Sequence, residues 1–198
     1  MTTRLYLAST SRYRQALLGR LGLAFATEAP GVDEAEIAGE APRERAVRLA
    51  RAKASAVSAR HPDAWVLGSD QVAVCAGRIH DKPGNARRCR EQLRASSGRF
   101  VEFHTAAVLL RGRPHATSEH VDLTVVRFRA LTETEITRYV EIDRPFDCAG
   151  GFRSEGLGTA LFEAIDTHDP AAIVGLPLIW IANALRGAEL DLLAPPQP

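Results

Sequence analysis

The chain has 198 residues, of which 45% are hydrophobic and 25% charged, a globular composition that excludes disordered and fibrous classes. Its 25 basic and 24 acidic side chains give a net charge of +1, which argues against a dedicated nucleic-acid-binding protein. No apolar run approaches the ~20 residues of a membrane-spanning helix, and the N-terminus lacks a signal-peptide pattern. We therefore expect a soluble, cytoplasmic protein without membrane partners.

The predicted elements alternate between strands and helices. In chain order we expect a strand at 5–8, helices at 12–21 and 42–60, strands at 65–67 and 72–74, a helix at 85–95, strands at 100–110 and 121–128, and helices at 132–143 and 177–185. Pro42 fits a first helical turn, and Thr132 with Glu135 forms a capping-box pattern. The alternation predicts an α/β fold with a mixed sheet flanked by helices. We expect residues 1–194 to form one domain and residues 195–198 an unstructured tail.

Cysteine and histidine spacing gives no sign of a disulfide framework or a zinc site. Cys75, Cys89 and Cys148 are odd in number and far apart, so we expect reduced thiols. The six histidines lack the spacing of metal ligands on a helix, and we interpret them as scattered surface or strand residues. These two residue types therefore supply no candidate ligands.

Lysine is rare in this chain, because all but Lys53 and Lys82 of its 25 basic residues are arginines. Lysine carries a compact point charge that can reach a phosphate, whereas arginine presents a planar fork. Lys53 lies mid-helix among alanines that would let its side chain reach into a cleft. Lys82 precedes a Pro-Gly turn that would hold it at the start of a helix. The rarity favours a functional role for both, and a compositional accident is the alternative.

A hydroxyl-rich segment, residues 9–11, connects the first predicted strand to the first predicted helix. The free N–H groups and the dipole at a helix N-terminus suit an anion such as phosphate. Two guanidiniums, those of Arg12 and Arg14, would strengthen such a site. An ordinary capped helix is the commoner meaning of this pattern taken by itself.

Two acidic positions are candidates for metal or base chemistry. Asp70 follows the apolar run 65–67, which places it at the carboxyl end of a predicted buried strand, where α/β sheets bind their ligands. A carboxylate there can bind a metal or act as a general base, and capping a turn is an equally credible role. Glu34 belongs to an acidic loop that could supply a second metal ligand, although solvated charge runs are commoner.

A glycine-rich loop, residues 148–158, contains four glycines between positions 150 and 158. Such a loop allows close approach of the backbone to a ligand, and Glu155 stands in it with little bulk to bury its carboxylate. A long flexible connector is the alternative interpretation.

Taken together, these segments resemble the Maf family of nucleotide pyrophosphatases. The matching residues are 7–14, 32–34, 53–54, 68–71, 82–83, 148–152 and 174–178. The resemblance covers nearly the whole chain in order, and both lysines fall on family motif positions. Arg12 departs from the family, because many relatives have proline there; it adds charge and removes a rigid helix start.

The resemblance implies an elongated α/β fold of two lobes around a central cleft, often as a homodimer. It implies metal-dependent hydrolysis of a nucleoside triphosphate to a monophosphate and pyrophosphate, with Mg²⁺ or Mn²⁺ as the divalent cation. Asp70 would be the proton acceptor that activates water, and Glu34 would be a metal-site carboxylate, with Asp70 near the same ion. The implied triphosphate contacts are Ser9, Arg14, Lys53 and Lys82. Such cationic contacts suit a triphosphate, which carries about four negative charges.

Three positions imply a branch within the family. Tyr13, Gln71 and Glu155 resemble the branch that cleaves 7-methyl-GTP, which commonly has tryptophan at the first of these positions. The thymidine and uridine branch has Arg, Thr and Gln there instead. The chemistry is coherent, because an aromatic face attracts the cationic methylguanine and a carboxylate accepts hydrogen bonds from guanine N–H donors. A pyrophosphatase for dTTP and UTP or of broad specificity, and a non-catalytic nucleotide-binding regulator of cell division, are the alternative functions.

Overall fold

The computed structural model describes residues 5–190 and 192–193, so the predicted tail at 195–198 lies outside the described residues. The strands are β1 (Leu5–Leu7), β2 (Ala26–Thr27), β3 (Trp65–Cys75), β4 (Arg78–Ile79), β5 (Phe100–Arg111), β6 (Ala116–Phe128) and β7 (Phe162–Asp166). The helices are α1 (Arg12–Gly19), α2 (Pro42–Ser58), α3 (Ala86–Ser96), α4 (Glu133–Asp143) and α5 (Leu178–Gly187). Short 3₁₀ turns occur at Ala149–Gly151, Leu157–Leu161 and Ala172–Val174.

The strands form one mixed sheet in the order β2-β1-β3-β5-β6-β7, with β4 added beside β3. β1 is parallel to both β2 and β3, whereas the pairs β3–β4, β3–β5, β5–β6 and β6–β7 are antiparallel. The predicted α/β fold with a mixed sheet flanked by helices is therefore confirmed. Among the described residues, no helix is long and apolar enough to span a membrane.

The two helix starts predicted from the sequence are confirmed. Pro42 occupies the first turn of α2. At α4, the Thr132 hydroxyl accepts a hydrogen bond from the Glu135 N–H, and the Glu135 carboxylate accepts one from the Thr132 N–H. The hydrogen bonds from Thr132 and the nearby Arg129 guanidinium lower the pKa of Glu135 to about 2. The carboxylate consequently stays ionised, which is the state that caps a helix N-terminus.

The two predicted strands at 65–67 and 72–74 are wrong as separate elements, because β3 runs continuously through both. The Gly, Ser and Asp of residues 68–71 favour a turn. In the structure each of these residues pairs with a residue of β5, from Gly68 with Val108 to Gln71 with Thr105. Asp70 therefore lies in the middle of a strand and not at its end. Local turn preference was overridden by pairing with a long neighbouring strand.

Gly68 is in β3 because α2 packs on the strand at this point. A Cβ built on Gly68 would lie 2.3 Å from the Ala50 carbonyl oxygen and 2.7 Å from the Ala54 nitrogen. Both are backbone atoms of α2, so the contact cannot be relieved by turning a side chain. The glycine signals a close approach of a helix and not a turn.

Other boundaries differ in smaller ways. Strand β6 begins at Ala116, earlier than the predicted 121, and β2, β4 and β7 were not predicted from the sequence. These three are 2, 2 and 5 residues long, which is too short for a clear alternating pattern. The last helix ends at Gly187, two residues beyond the predicted 185.

The apolar core consists of three clusters of side chains, which lie on the two faces of the sheet. On one face, helix α2 covers an apolar cluster that includes Val66, Val72 and Ala106. On the other face, a cluster around Phe103 and Phe128 packs with α3 and α4, and a second cluster packs with α1 and α5. The last two clusters are the cores of two lobes that share the sheet as their common base.

We predict that Gly68→Ala destabilises the fold, because its methyl group must push α2 away from β3. The expected loss is about 2 kcal/mol or more in the free energy of unfolding. That loss should lower the melting temperature by about 4–8 °C in thermal denaturation. The control is Gly19→Ala, because a Cβ at Gly19 meets nothing within 4 Å. An unchanged melting temperature for Gly68→Ala would contradict the packing argument.

Candidate active site

A gap in the strand pairing of β3 marks the cleft. Strand β5 pairs with one edge of β3 over its full length, so β1 and β4 must share the other edge. On that edge β1 covers residues 65–67 and β4 covers residues 74–75, and the Ala73 carbonyl accepts from the His80 N–H. Residues 68–72 therefore lie between the two short strands. A cavity of about 810 Å³ opens at this gap.

Every site residue predicted from the sequence lines this cavity. The nine residues are Ser9, Tyr13, Arg14, Glu34, Lys53, Asp70, Gln71, Lys82 and Glu155. They come from the connection between β1 and α1, α1 itself, the acidic loop, α2, β3, the turn before α3 and the glycine-rich loop. The fold thus brings together positions almost 150 residues apart, which is consistent with one site.

The Lys53 ammonium lies between two carboxylates at the gap. Its Nζ is 2.6 Å from Asp70 Oδ1 and 2.8 Å from Glu34 Oε1. Lys53 and Asp70 are only 6% and 7% exposed, because α2 packs tightly on β3. Burial raises the pKa of Glu34, but the hydrogen bond and charge of Lys53, with the charges of Lys82 and Arg14, bring it below its usual value.

The two carboxylates around Lys53 are also a suitable donor set for a divalent cation. Asp70 and Glu34 both contact one ammonium, so their oxygens lie within reach of a single ion. Within residues 5–190 and 192–193, no group of three or more His, Cys, Asp or Glu side chains could hold a metal. Mg²⁺ commonly binds through one or two carboxylates, with water and substrate phosphates completing its coordination. The residues present fit that mode of binding.

The start of α1 has the predicted hydroxyl capping. Ser11 is the N-cap and accepts from the Arg14 N–H at 3.4 Å, and Ser9 Oγ accepts from the Ser11 N–H at 3.1 Å. The Arg14 side chain turns into the cleft, where its Nε donates to the Gly175 carbonyl at 3.2 Å. Burial lowers the pKa of Arg14, and the carboxylates of Asp70 and Glu34 partly oppose that shift.

Gln71 points to the opposite face of the sheet from Asp70. Its Nε2 donates to Thr105 Oγ1 at 2.9 Å and to the carbonyls of Ala172 and Ile173 at 2.9 and 3.1 Å. The amide nitrogen thus holds the 3₁₀ turn at Ala172–Val174 in place. Any contact of Gln71 with a ligand would fall to its amide oxygen, which can only accept a hydrogen bond.

Tyr13 and Glu155 line the same cavity. The Tyr13 hydroxyl lies 3.1 Å from Asp147 Oδ1 and donates to that carboxylate, and it accepts from Arg12 Nη2 at 2.8 Å. Burial raises the pKa of Tyr13, so its ring stays neutral. Glu155 is exposed, and its Oε2 accepts from the Ser154 hydroxyl at 3.2 Å. The predicted base-recognition residues therefore flank one open pocket.

The cleft residues that were not predicted from the sequence include Arg45, His80, Asp147 and Arg153. Arg45 is eight residues before Lys53 on the same face of α2, and that spacing could have identified it. Its Nη1 and Nη2 contact Glu36 at 3.0 Å and Asp81 at 3.4 Å, so it ties the acidic loop to the turn that carries Lys82.

His80 differs from its predicted surface or strand position. It is 6% exposed, follows β4 directly and lines the cleft. Burial lowers the pKa of its imidazole, which favours the neutral ring. No sequence spacing marks this role, because the position depends on how β4 folds back along β3.

Comparison with known proteins identifies the family. A model described as Maf-like protein matches residues 4–188. A 7-methyl-GTP pyrophosphatase from Xanthomonas axonopodis pv. citri is 54% identical, over 96% of this chain and 98% of the relative. Relatives of the same name from Burkholderia orbicola and Bordetella pertussis are 49% and 48% identical, over 96% of this chain and 92% and 94% of their own lengths.

Among solved structures, the Staphylococcus aureus Ham1 protein matches 78% of this chain and 88% of its own, with 14% identity and a TM-score of 0.47. The family model and the relatives cover nearly the whole chain. The chain therefore belongs to the Maf family, and the resemblance seen in its motifs is confirmed.

We predict that Lys53→Met raises the pKa of Glu34, because it removes the main charge that opposes the effect of burial. Titration of the Glu34 carboxyl by NMR measures this directly. Lys82→Met, which removes the only other lysine, is the matched control and should raise the pKa less. No rise in Lys53→Met would show that the ammonium is not held between the two carboxylates.

The same substitution should change the acid dependence of stability. A depressed pKa in the folded state adds stability above the unfolded-state pKa of about 4.3, and that stability is lost as the pH falls through the folded-state value. Lys53→Met should therefore unfold with a weaker dependence on pH in this range. Chemical denaturation at several pH values gives the comparison.

Proposed function

We propose that this chain is a nucleoside triphosphate pyrophosphatase that hydrolyses 7-methyl-GTP to 7-methyl-GMP and pyrophosphate. The observation that carries the proposal is the Lys53 ammonium held by Asp70 and Glu34 at the gap in the sheet, inside a cleft lined by further cations. The name of the relatives at about 50% identity supports the same activity.

The phosphate-binding end of the cleft would be formed by Ser9, Arg14, Lys53 and Lys82, which all line the cavity. A triphosphate carries about four negative charges, so cleavage of its α–β bond requires cations that offset the charge developing in the transition state. Arg14 is held in place by the Gly175 carbonyl, and Lys53 is paired with two carboxylates. A cation held in place, as Arg14 is, needs little reorganisation when the charge develops.

Asp70 would be the general base. Hydrolysis breaks the α–β anhydride bond, forms a new bond from a water oxygen to phosphorus, and passes the proton of that water to the Asp70 carboxylate. The ammonium of Lys53 donates to Asp70 Oδ1. A triphosphate that draws this ammonium toward its own oxygens would free the carboxylate, so that the base becomes available when substrate is present.

Glu34 and Asp70 would hold the divalent cation, Mg²⁺ or Mn²⁺. A cation bound there supplies charge neutralisation on the phosphate oxygens. The acidic loop is tied to α2 by Arg48, which contacts both Glu40 oxygens and the Ala35 carbonyl. Glu34 is thus carried by an anchored segment, although its own side chain is about half exposed.

The base-binding end would be formed by Tyr13, Gln71 and Glu155. The Tyr13 ring offers a face for the cationic methylguanine, an attraction of ~0.5–2 kcal/mol. The exposed Glu155 carboxylate can accept hydrogen bonds from the N1–H and the 2-amino group of guanine. A pyrimidine cannot offer the same donors, and this difference favours the purine nucleotide as substrate.

We predict that Asp70→Asn lowers turnover at least ~100-fold, because general bases commonly contribute that much. The measurement is steady-state pyrophosphate release with Mg²⁺ and with Mn²⁺. The control is Asp122→Asn, since Asp122 is buried on β6 but does not line the cavity. Near-normal turnover of folded Asp70→Asn would refute the assignment of the base.

We also predict that Tyr13→Ala lowers kcat/KM for 7-methyl-GTP more than for GTP, because the stacking of the cationic base is lost. Glu155→Gln replaces an acceptor with an amide that turns a donor toward guanine donors, and should cost about 5- to 150-fold in kcat/KM. The experiment compares 7-methyl-GTP, GTP, dTTP and UTP on wild type and both variants. A wild-type preference for dTTP or UTP would contradict the proposed substrate and favour the other branch.

A further inference from the structure

Asp147 joins the two walls of the cleft at its base-binding end. Tyr13 and Arg12 of α1 reach Asp147 from one side, with the Tyr13 hydroxyl 3.1 Å from Oδ1 and Arg12 Nη2 3.3 Å from Oδ2. Arg153 of the glycine-rich loop reaches it from the other side, with Nη2 3.4 Å from Oδ1. We refer to Arg12, Tyr13, Asp147 and Arg153 as the Asp147 cluster.

The charges of the Asp147 cluster bear directly on the Tyr13 ring. The Arg12 guanidinium lies over the ring at 4.8 Å from its centroid, and the Arg153 guanidinium at 5.9 Å. A base that stacks on Tyr13 therefore comes close to two positive charges. For a neutral guanine this is of little consequence, but a methylguanine that is itself cationic is repelled by both.

Asp147 is the carboxylate that offsets this repulsion. Burial raises the pKa of Asp147. Hydrogen bonds from its own backbone N–H, Tyr13 and Arg153, together with the charge of Arg12, lower the pKa by more than burial raises it. The net pKa is below the usual value, and the carboxylate stays ionised. Its backbone is anchored next to it, because the Phe146 carbonyl accepts from the Gly84 N–H at 2.9 Å. The carboxylate is therefore ionised near neutral pH, and its backbone is held in position.

We propose that Asp147 is a specificity-determining residue, which makes the pocket more tolerant of a cationic base by offsetting one of the two positive charges beside Tyr13. This inference rests on the proposed function, since it explains how a pocket with two arginines can accept 7-methylguanine. Asp147 acts through Arg12, Arg153 and the orientation of the Tyr13 ring, and it is a positioning residue and not a catalytic one.

Coulomb's law sets the size of the effect. Two unit charges about 6 Å apart interact strongly enough to change a binding constant roughly 3-fold in a water-like dielectric. In the lower dielectric of a protein surface the change is roughly 100-fold. The side chains of Arg12 and Asp147 are 67% and 49% exposed, so screening by solvent places the effect toward the lower end. We expect about 3- to 30-fold.

The test is Asp147→Asn, which keeps the shape and one acceptor but removes the charge. The quantity measured is the ratio of kcat/KM for 7-methyl-GTP to that for GTP, below neutral pH, where the methylated base retains its N1 proton. The ratio should fall about 3- to 30-fold relative to wild type, and the fall should shrink as salt is added. A merely structural defect would lower kcat/KM for both substrates together, and the loss would not respond to salt.

Three further variants complete the experiment. Asp147→Glu keeps the charge and should restore the wild-type ratio. Arg12→Gln removes one cation, and should raise the ratio both alone and on the Asp147→Asn background. Glu141→Gln removes a carboxylate on the exposed side of α4, where its ion pair is with Arg138, and should leave the ratio unchanged.

The outcomes separate this inference from the proposed function. The wild-type ratio tests whether the methylated nucleotide is preferred, and the change of that ratio in each variant tests Asp147 whatever the wild-type preference is. An unchanged ratio in both Asp147→Asn and Arg12→Gln would overturn the role of Asp147, even with a wild type that prefers 7-methyl-GTP. Should Asp147→Asn fail to fold, the ratio in Arg12→Gln decides.

Discussion

Lys53 places a positive charge inside the protein, and two carboxylates converge on it. A buried charge is costly unless it is paired, so the positions of Asp70 and Glu34 and the packing of α2 on β3 depend on one another. The ammonium reaches Asp70 only because α2 lies almost against the strand. Gly68 permits that approach, and alanines on the helix allow it from the other side. The close packing of α2 on β3 thus determines where the charges of the site can lie.

The contrast between arginine and lysine follows from the same geometry. Arginines elsewhere make two-pronged contacts, as Arg48 does with both oxygens of Glu40 and Arg94 with both oxygens of Glu133. Lys53 instead offers one nitrogen to two different carboxylates. A planar fork cannot replace a point charge in that position. The rarity of lysine in the sequence is therefore informative at this position, because the structure shows a role that arginine fills poorly.

The sequence was sufficient to predict the mixed α/β class, the helix caps and nine of the residues that line the cleft. It was insufficient where a feature depends on distant pairing. Residues 68–71 look like a turn because Gly and Ser commonly form turns, and only the pairing with β5 makes them part of a strand. Arg45 and Arg153 are hidden among many other arginines, and Asp147 has no local pattern. Their positions depend on which loops meet across the cleft, and a linear pattern carries no such information.

Successive side chains of β3 alternate between the two faces of the sheet, so one strand contributes residues to the cleft from both faces. Asp70 points toward α2 and the Lys53 ammonium, whereas its neighbours Ser69 and Gln71 point to the opposite face. There Gln71 holds the turn at Ala172–Val174, and Ser69 Oγ donates to the Gly175 carbonyl, which also accepts from Arg14.

The segment 172–175 is thus anchored both by a residue predicted to read the base and by a residue predicted to bind phosphate. A shift of the strand by one residue would exchange the two faces and lose both sets of contacts at once. The antiparallel pairing of β3 with β5 over 11 residues prevents such a shift. A long, regular strand is therefore what allows the irregular edge beside it to remain open for a ligand.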